Sequence, residues 1–97
     1  MDFLSDTVTT TSLADERQGY RGVIAFVREE ASTAGGLAGA ELERRLLEMG
    51  FVEGARVEIL HEGLVGADPI CVRLDDMRVA LRRRDARGVL VLADITK

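Results

Sequence analysis

Apolar and polar positions alternate along much of this 97-residue chain, with one stretch of helical period among the alternating segments. From Arg21 to Glu29, Val23, Ala25 and Val27 take one face of a predicted strand while Ile24 and Phe26 take the other. A strand apolar on both faces is central or covered on its second side. Leu42, Leu46 and Met49 recur at four and seven residues, which predicts a helix from about residue 39 to 49. The small, glycine-rich residues before it read as a loop from Glu29 to Gly39. Glu41 and Glu43 then fall in the first turn, where the helix dipole favours acids, and Glu41 precedes Arg45 by four residues, the better orientation for an ion pair.

The helix has a firm stop. Gly50 stands where a C-terminus favours positive φ, and Phe51 follows at the position that folds back onto the last turn. Glu53-Gly54 then turns the chain into Arg56 to Glu62, a strand with Val57 and Ile59 inward. Gly50, Phe51 and Gly54 are therefore expected to be structural. A loop is expected over Gly63 to Asp68, with Pro69 at the start of the next strand. Ile70, Val72 and Leu74 alternate with Cys71 and Arg73. Asp75-Asp76 makes a two-residue turn, and Met77, Val79 and Leu81 face inward on the strand after it. Arg83 to Arg87 is a charged turn before the closing strand, Val89 to Leu92. About five short strands and one main helix make a mainly β (α+β), small, partly open barrel the economical architecture. Residues 1–12 are polar and threonine-rich without a period and are expected to form a flexible segment, leaving 13–97 as one domain.

Composition narrows the function. A net charge of −4 with only four aromatic residues, Phe3, Tyr20, Phe26 and Phe51, equips the chain poorly for nucleic acid, which rewards basic surface and stacking. The single cysteine, Cys71, excludes an internal disulfide and fits a reducing compartment. No apolar run approaches the ~20 residues of a membrane span, and the start lacks the basic-then-apolar pattern of a signal peptide. A soluble, cytoplasmic protein without direct membrane insertion is expected. Catalytic residues are expected to be none: one histidine has no serine placed beside it, and no Gly-Lys-Ser/Thr cradles a phosphate.

The order of parts resembles the FeoA family of bacterial ferrous iron transport. The resemblance is carried by Arg45-Leu46-Leu47-Glu48-Met49-Gly50-Phe51-Val52-Glu53-Gly54, then Arg56-Val57-Glu58, Asp68-Pro69, Val79-Ala80-Leu81-Arg82 and Val89-Leu90-Val91. It spans about Leu13 to Leu92. Two places depart from the family pattern. Val65-Gly66-Ala67 precedes Asp68-Pro69 where the family has Pro-Leu-Gly, and Asp76 stands where the family has a glycine in the last hairpin. The resemblance implies an SH3-like barrel, a module also found at the C-terminus of iron-dependent repressors. It also implies an accessory role in Fe(II) uptake through the cytosolic GTPase region of the membrane transporter FeoB.

Three sets of residues are candidates for function. Phe26, Leu47, Leu60 and Leu64, with Ile24 and Leu37, exceed what one small barrel core absorbs, and exposed apolar clusters mark partner surfaces. The arginines Arg78, Arg82, Arg83, Arg84 and Arg87 either dock an acidic partner or keep a strand edge soluble; Arg78 and Arg82 are taken as partner-binding candidates. His61 and Cys71 are weak metal candidates for Fe(II) or another divalent ion. Their spacing matches no tight ligand motif, so a surface histidine and a packed cysteine are preferred. No cofactor is expected. A metal-binding or metal-sensing domain like the repressor module is the alternative, and homo-oligomerisation stays open.

Overall fold

The computed structural model describes residues 9–28 and 36–93. Six strands form one antiparallel sheet that curls without closing, with one long helix beside it. The strands are β1 (Thr11–Ser12), β2 (Arg21–Val27), β3 (Arg56–Val65), β4 (Asp68–Leu74), β5 (Met77–Leu81) and β6 (Val89–Ala93). The helices are α1 (Gly36–Met49) and the single turn α2 (Arg83–Ala86), and a 3-10 turn spans Leu13–Asp15. The strand order is β1-β6-β2-β3-β4-β5, so β5 and the two-residue β1 are the edges. The sheet has one strand more than the alternation shows, because a two-residue strand is too short to carry a period. Thr11 and Ser12 pair with Val91 and Leu90, so the sheet begins inside the segment expected to be loose. Residues 1–8 of that segment lie outside the described residues. Ser12 also caps the 3-10 turn through its Oγ and donates to the Arg87 carbonyl oxygen at 2.8 Å.

The helix corner is built as the glycine signal implies. Gly50 has φ +113°; its N–H donates to the Leu47 carbonyl at 3.1 Å, and the Phe51 N–H reaches back to the Leu46 carbonyl at 3.0 Å. That pair of bonds is a Schellman motif, and the two residues whose side chains such a motif brings together, Leu46 and Phe51, are both buried in the one core cluster. Gly54, at φ +89°, donates its N–H to the Ile24 carbonyl at 2.8 Å and so ties the corner to β2. At its other end α1 starts at Gly36, inside the stretch expected to be loop. Glu41 and Glu43 are thus in the second turn, and no acid stands in the first. Glycine disfavours helix by up to ~1 kcal/mol, but Gly39 is buried here and docking of the helix outweighs that preference. Glu41 and Arg45 do meet, at 3.4 Å, as an exposed pair of small worth.

Inward positions of the strands make the core: Ile24, Val57, Ile59, Ile70, Val72, Leu74, Leu81, Val89 and Val91, closed by Leu13, Leu46 and Phe51. Leu42 and Met49 pack against it from α1, as their spacing predicts. Three register shifts interrupt the ladders, one of them between Glu62 and Val65 just before the β3–β4 turn, and the other two redirect candidate side chains. Between Ile24 and Phe26 the β2–β6 register shifts, so Ile24 and Val27 both face the core while Phe26 turns outward opposite Leu90. Ile24 is therefore a core residue and not surplus surface. Between Ile59 and His61 the β3–β4 register shifts again, which puts His61 outward and Glu62 on the inward side opposite Ile70. Strict alternation would do the reverse, because a bulge inserts one residue and flips every position after it.

The segment expected as a loop over Gly63 to Asp68 is a hairpin. β3 runs to Val65, and Gly66 and Ala67, at φ +68° and +58°, turn directly into β4. Positive φ at both central residues is the type I′ arrangement, whose twist suits a two-residue hairpin. Alanine is an uncommon occupant of that conformation, so the turn signal is faint in the sequence. In the next hairpin the left-handed residue is Asp75, at φ +53°. Asp75 is also tied to β3: its Oδ1 accepts from the Arg56 N–H at 3.0 Å, and its own N–H donates to the Arg56 carbonyl at 2.9 Å.

The Tyr20 hydroxyl is buried without a hydrogen-bond partner among the described residues. Burial raises its pKa above the usual phenol value, and the Glu16 carboxylate adds to this. The Thr11 hydroxyl opposes them weakly, being committed to Glu16 at 2.6 Å. A phenol that holds its proton more tightly when folded lowers stability as pH rises beyond ~10, where the unfolded chain ionises first. Tyr20→Phe is expected to leave stability at pH 7 within ~1 kcal/mol of the parent or above it. It should also remove part of the alkaline loss. Thermal melts at pH 7 and pH 10.5 check both outcomes.

Candidate partner-binding site

The sequence candidates do not converge on one patch. Phe26 is on β2, Leu47 on the outer side of α1, and both are exposed. Leu60 lies half-buried at the bulge of β3, and Leu64 stands near the tip of the β3–β4 hairpin. Arg78 and Arg82 are exposed, on β5 and just after it. The side chain of Leu37 lies outside the described residues. His61 and Cys71 are direct cross-strand partners on the outer face, so the fold does bring these two together. Among the described residues no three histidine, cysteine, aspartate or glutamate side chains gather, and a closed metal centre needs more donors than this pair.

What stands out is the hairpin tip and what holds it. Leu64 is 102% exposed and Val65 85%, two adjacent aliphatic side chains standing in water. Beneath them, Arg83 grips the root. Its Nε–H donates to the Ala67 carbonyl at 2.8 Å, and its Nη1 donates to the carbonyls of Ala14 and Glu16 at 2.8 and 2.7 Å. Its Nη2 meets Glu62 Oε2 at 2.6 Å, and its backbone N–H donates to Asp68 Oδ1 at 2.9 Å. Through its guanidinium and its backbone N–H, Arg83 thus joins β3, the hairpin turn and the start of β4 to the 3-10 turn and to α2. The fork geometry of arginine suits this, since its donors point to several acceptors at once. Glu62 takes a second cation, Arg17, at 3.2 Å. Gly63 lets the Asp68 carbonyl lie against its Cα, where any Cβ would collide. In the sequence Arg83 is one of a run of arginines, and nothing local marks it as the one turned inward. Only the bulge that sends Glu62 inward does so.

A concavity of about 520 Å³ opens at the ends of β2, β3 and β4. Arg21, Arg56 and Arg73 line it together with Glu58, Asp75 and Asp76, and Arg73 already meets Glu58 at 3.7 Å. Bases and acids in equal number select no ligand of one sign.

The family model for the FeoA domain matches residues 11–93. The chain belongs to the FeoA domain family. FeoA from Stenotrophomonas maltophilia, a prokaryotic SH3 domain protein solved with zinc, is 32% identical with a TM-score of 0.66; the match covers 84% of this chain and 88% of that one. FeoA from Chlorobium tepidum is 28% identical with a TM-score of 0.68, over 86% of this chain and 70% of that one. A manganese-dependent transcriptional repressor shares the fold at 20% identity and a TM-score of 0.70, covering 90% of this chain but 43% of the repressor. No curated protein is matched. The SH3-like fold and the family expected from the helix–glycine–strand order are therefore both present, and the FeoA family is not a known enzyme family. Among the described residues no helix is long and apolar enough to cross a membrane.

Proposed function

We propose that this FeoA domain is a cytoplasmic accessory module that docks on the cytosolic GTPase region of the transporter FeoB and modulates Fe(II) uptake by contact alone. The family membership ties the chain to ferrous iron transport. The observation that carries the docking is the Leu64–Val65 tip, fully hydrated yet held by the Arg83 clamp. A rigid apolar anchor loses little conformational freedom when it enters a pocket, so most of its burial counts toward binding. Burying two such side chains is worth roughly 1.5–3 kcal/mol each. Fe(II) in this account is the transporter's cargo.

Leu64→Asp/Val65→Asp is expected to weaken binding to the purified GTPase region by at least ~10-fold, from the lost burial. Melting should be unchanged, since neither side chain touches the core. Calorimetry with parent and variant checks this, and equal affinity for the two proteins would remove the tip from the interface. Normal Fe(II) uptake in a deletion strain would remove the transport role itself.

A further inference from the structure

The open edge of β5 leads to a second proposal, independent of the transporter. Along β5 the residues exchanging bonds with β4 alternate with residues whose N–H and C=O point away from it. The two-residue turn at Asp75-Asp76 closes on the Leu74–Met77 pair, so Met77, Val79 and Leu81 bond to β4 while Arg78 and Ala80 present their backbone groups to the free side. No described element pairs with that side. We propose that β5 pairs antiparallel with β5 of a second copy of this chain, across a two-fold axis at Val79.

Charge favours that register, the more so because Arg78 already stands opposite Arg73 of β4. Opposite residues of an antiparallel pair share a face, which leaves three central alignments. An axis at Arg78 sets Arg78 against itself, and an axis at Ala80 sets Arg78 against Arg82 of the partner subunit. Both place like charges face to face. An axis at Val79 sets Arg78 against the partner's Ala80, Met77 against the partner's Leu81, and Asp76 against the partner's Arg82. Asp76 and Arg82 are exposed and make no ion pair among the described residues, so each is available to the other. Met77, 52% exposed on the core side, gains an apolar neighbour. The segment from Asp76 to Arg82 is thus complementary to itself read backwards. Pairing also consumes the edge in both copies, and the remaining edge strand, β1, is two residues long, so assembly closes at two.

Five residues of strand make a small interface, so the dimer is weak, with a dissociation constant on the order of 100 µM. Sedimentation equilibrium from ~10 µM to ~1 mM, a range bracketing that constant, is expected to show monomer and dimer only. Asp76→Arg or Arg82→Asp alone puts like charges opposite each other twice per dimer and should weaken it roughly tenfold. The double variant D76R/R82D restores opposite charges and should return to the parent value. Ala80→Pro removes a donor from the free side without breaking a bond to β4, and should abolish the dimer. If that variant fails to fold, the charge swaps still decide. A chain monomeric at ~1 mM, or a dimer indifferent to both single swaps, overturns the proposal.

Discussion

Replacing Arg83 by alanine is expected to cost about 3–5 kcal/mol, enough to threaten folding in a domain whose total stability is of order 5–15 kcal/mol. The size follows from what stays behind. Glu62, its side chain only 17% accessible, would keep one partner, the mostly exposed Arg17, and the carbonyls of Ala14, Glu16 and Ala67 would lose their donor. Truncating one member of a partly buried, multiply bonded charged pair costs more than the pair is worth against apolar replacements, because the remaining groups are already largely shielded from water. Arg83→Lys should recover part of the loss through Glu62, but an ammonium cannot serve acceptors spread around a planar fork. Denaturant unfolding of parent, R83K and R83A checks the order. A smaller loss in R83A when Glu62 is already glutamine would show that the two residues act together. An R83A protein as stable as the parent would mean that the clamp contributes nothing.

Gly50→Val has the second largest expected effect. The position sits at φ +113°, where a β-branched side chain is strained by about 1–3 kcal/mol. A Cβ there would also lie 3.3 Å from Leu74 Cδ2, inside a core with Leu74 itself buried, and overpacking adds about 1–3 kcal/mol. Together these predict a fall in melting temperature of more than ~10 °C at ~4–8 °C per kcal/mol. Gly50→Ala should fall between parent and valine, since it meets the same Leu74 methyl without the branched carbons. A melting temperature unmoved by valine would show that the corner does not need its left-handed residue.

Much of the architecture is legible in the residues, for a physical reason. Local rules govern it: the four- and seven-residue spacing of Leu42, Leu46 and Met49, the glycine stop at Gly50, and the alternation of Ile70, Val72 and Leu74. What is not legible depends on single-residue insertions. The bulge after Ile24 makes Phe26 an outer residue, and the bulge after Ile59 exchanges the sides of His61 and Glu62. A bulge leaves little trace in composition, yet it reverses the facing of everything beyond it. The candidate site suffers for that reason. Leu64 and Val65 both fall in the segment expected as a loop, where only Leu64 is legible as a surplus apolar residue, and Arg83 looks like its neighbours.

By itself, then, the amino-acid sequence determined the family, the strand-rich fold, the helix corner and the exclusion of a disulfide, because each rests on contacts or conformations a few residues long. The tertiary structure alone decided which arginine turns inward, which aliphatic residues stand in water and which strand edge stays open. Those outcomes depend on where distant segments meet, and a pattern read along the chain contains no information about what lies across from it.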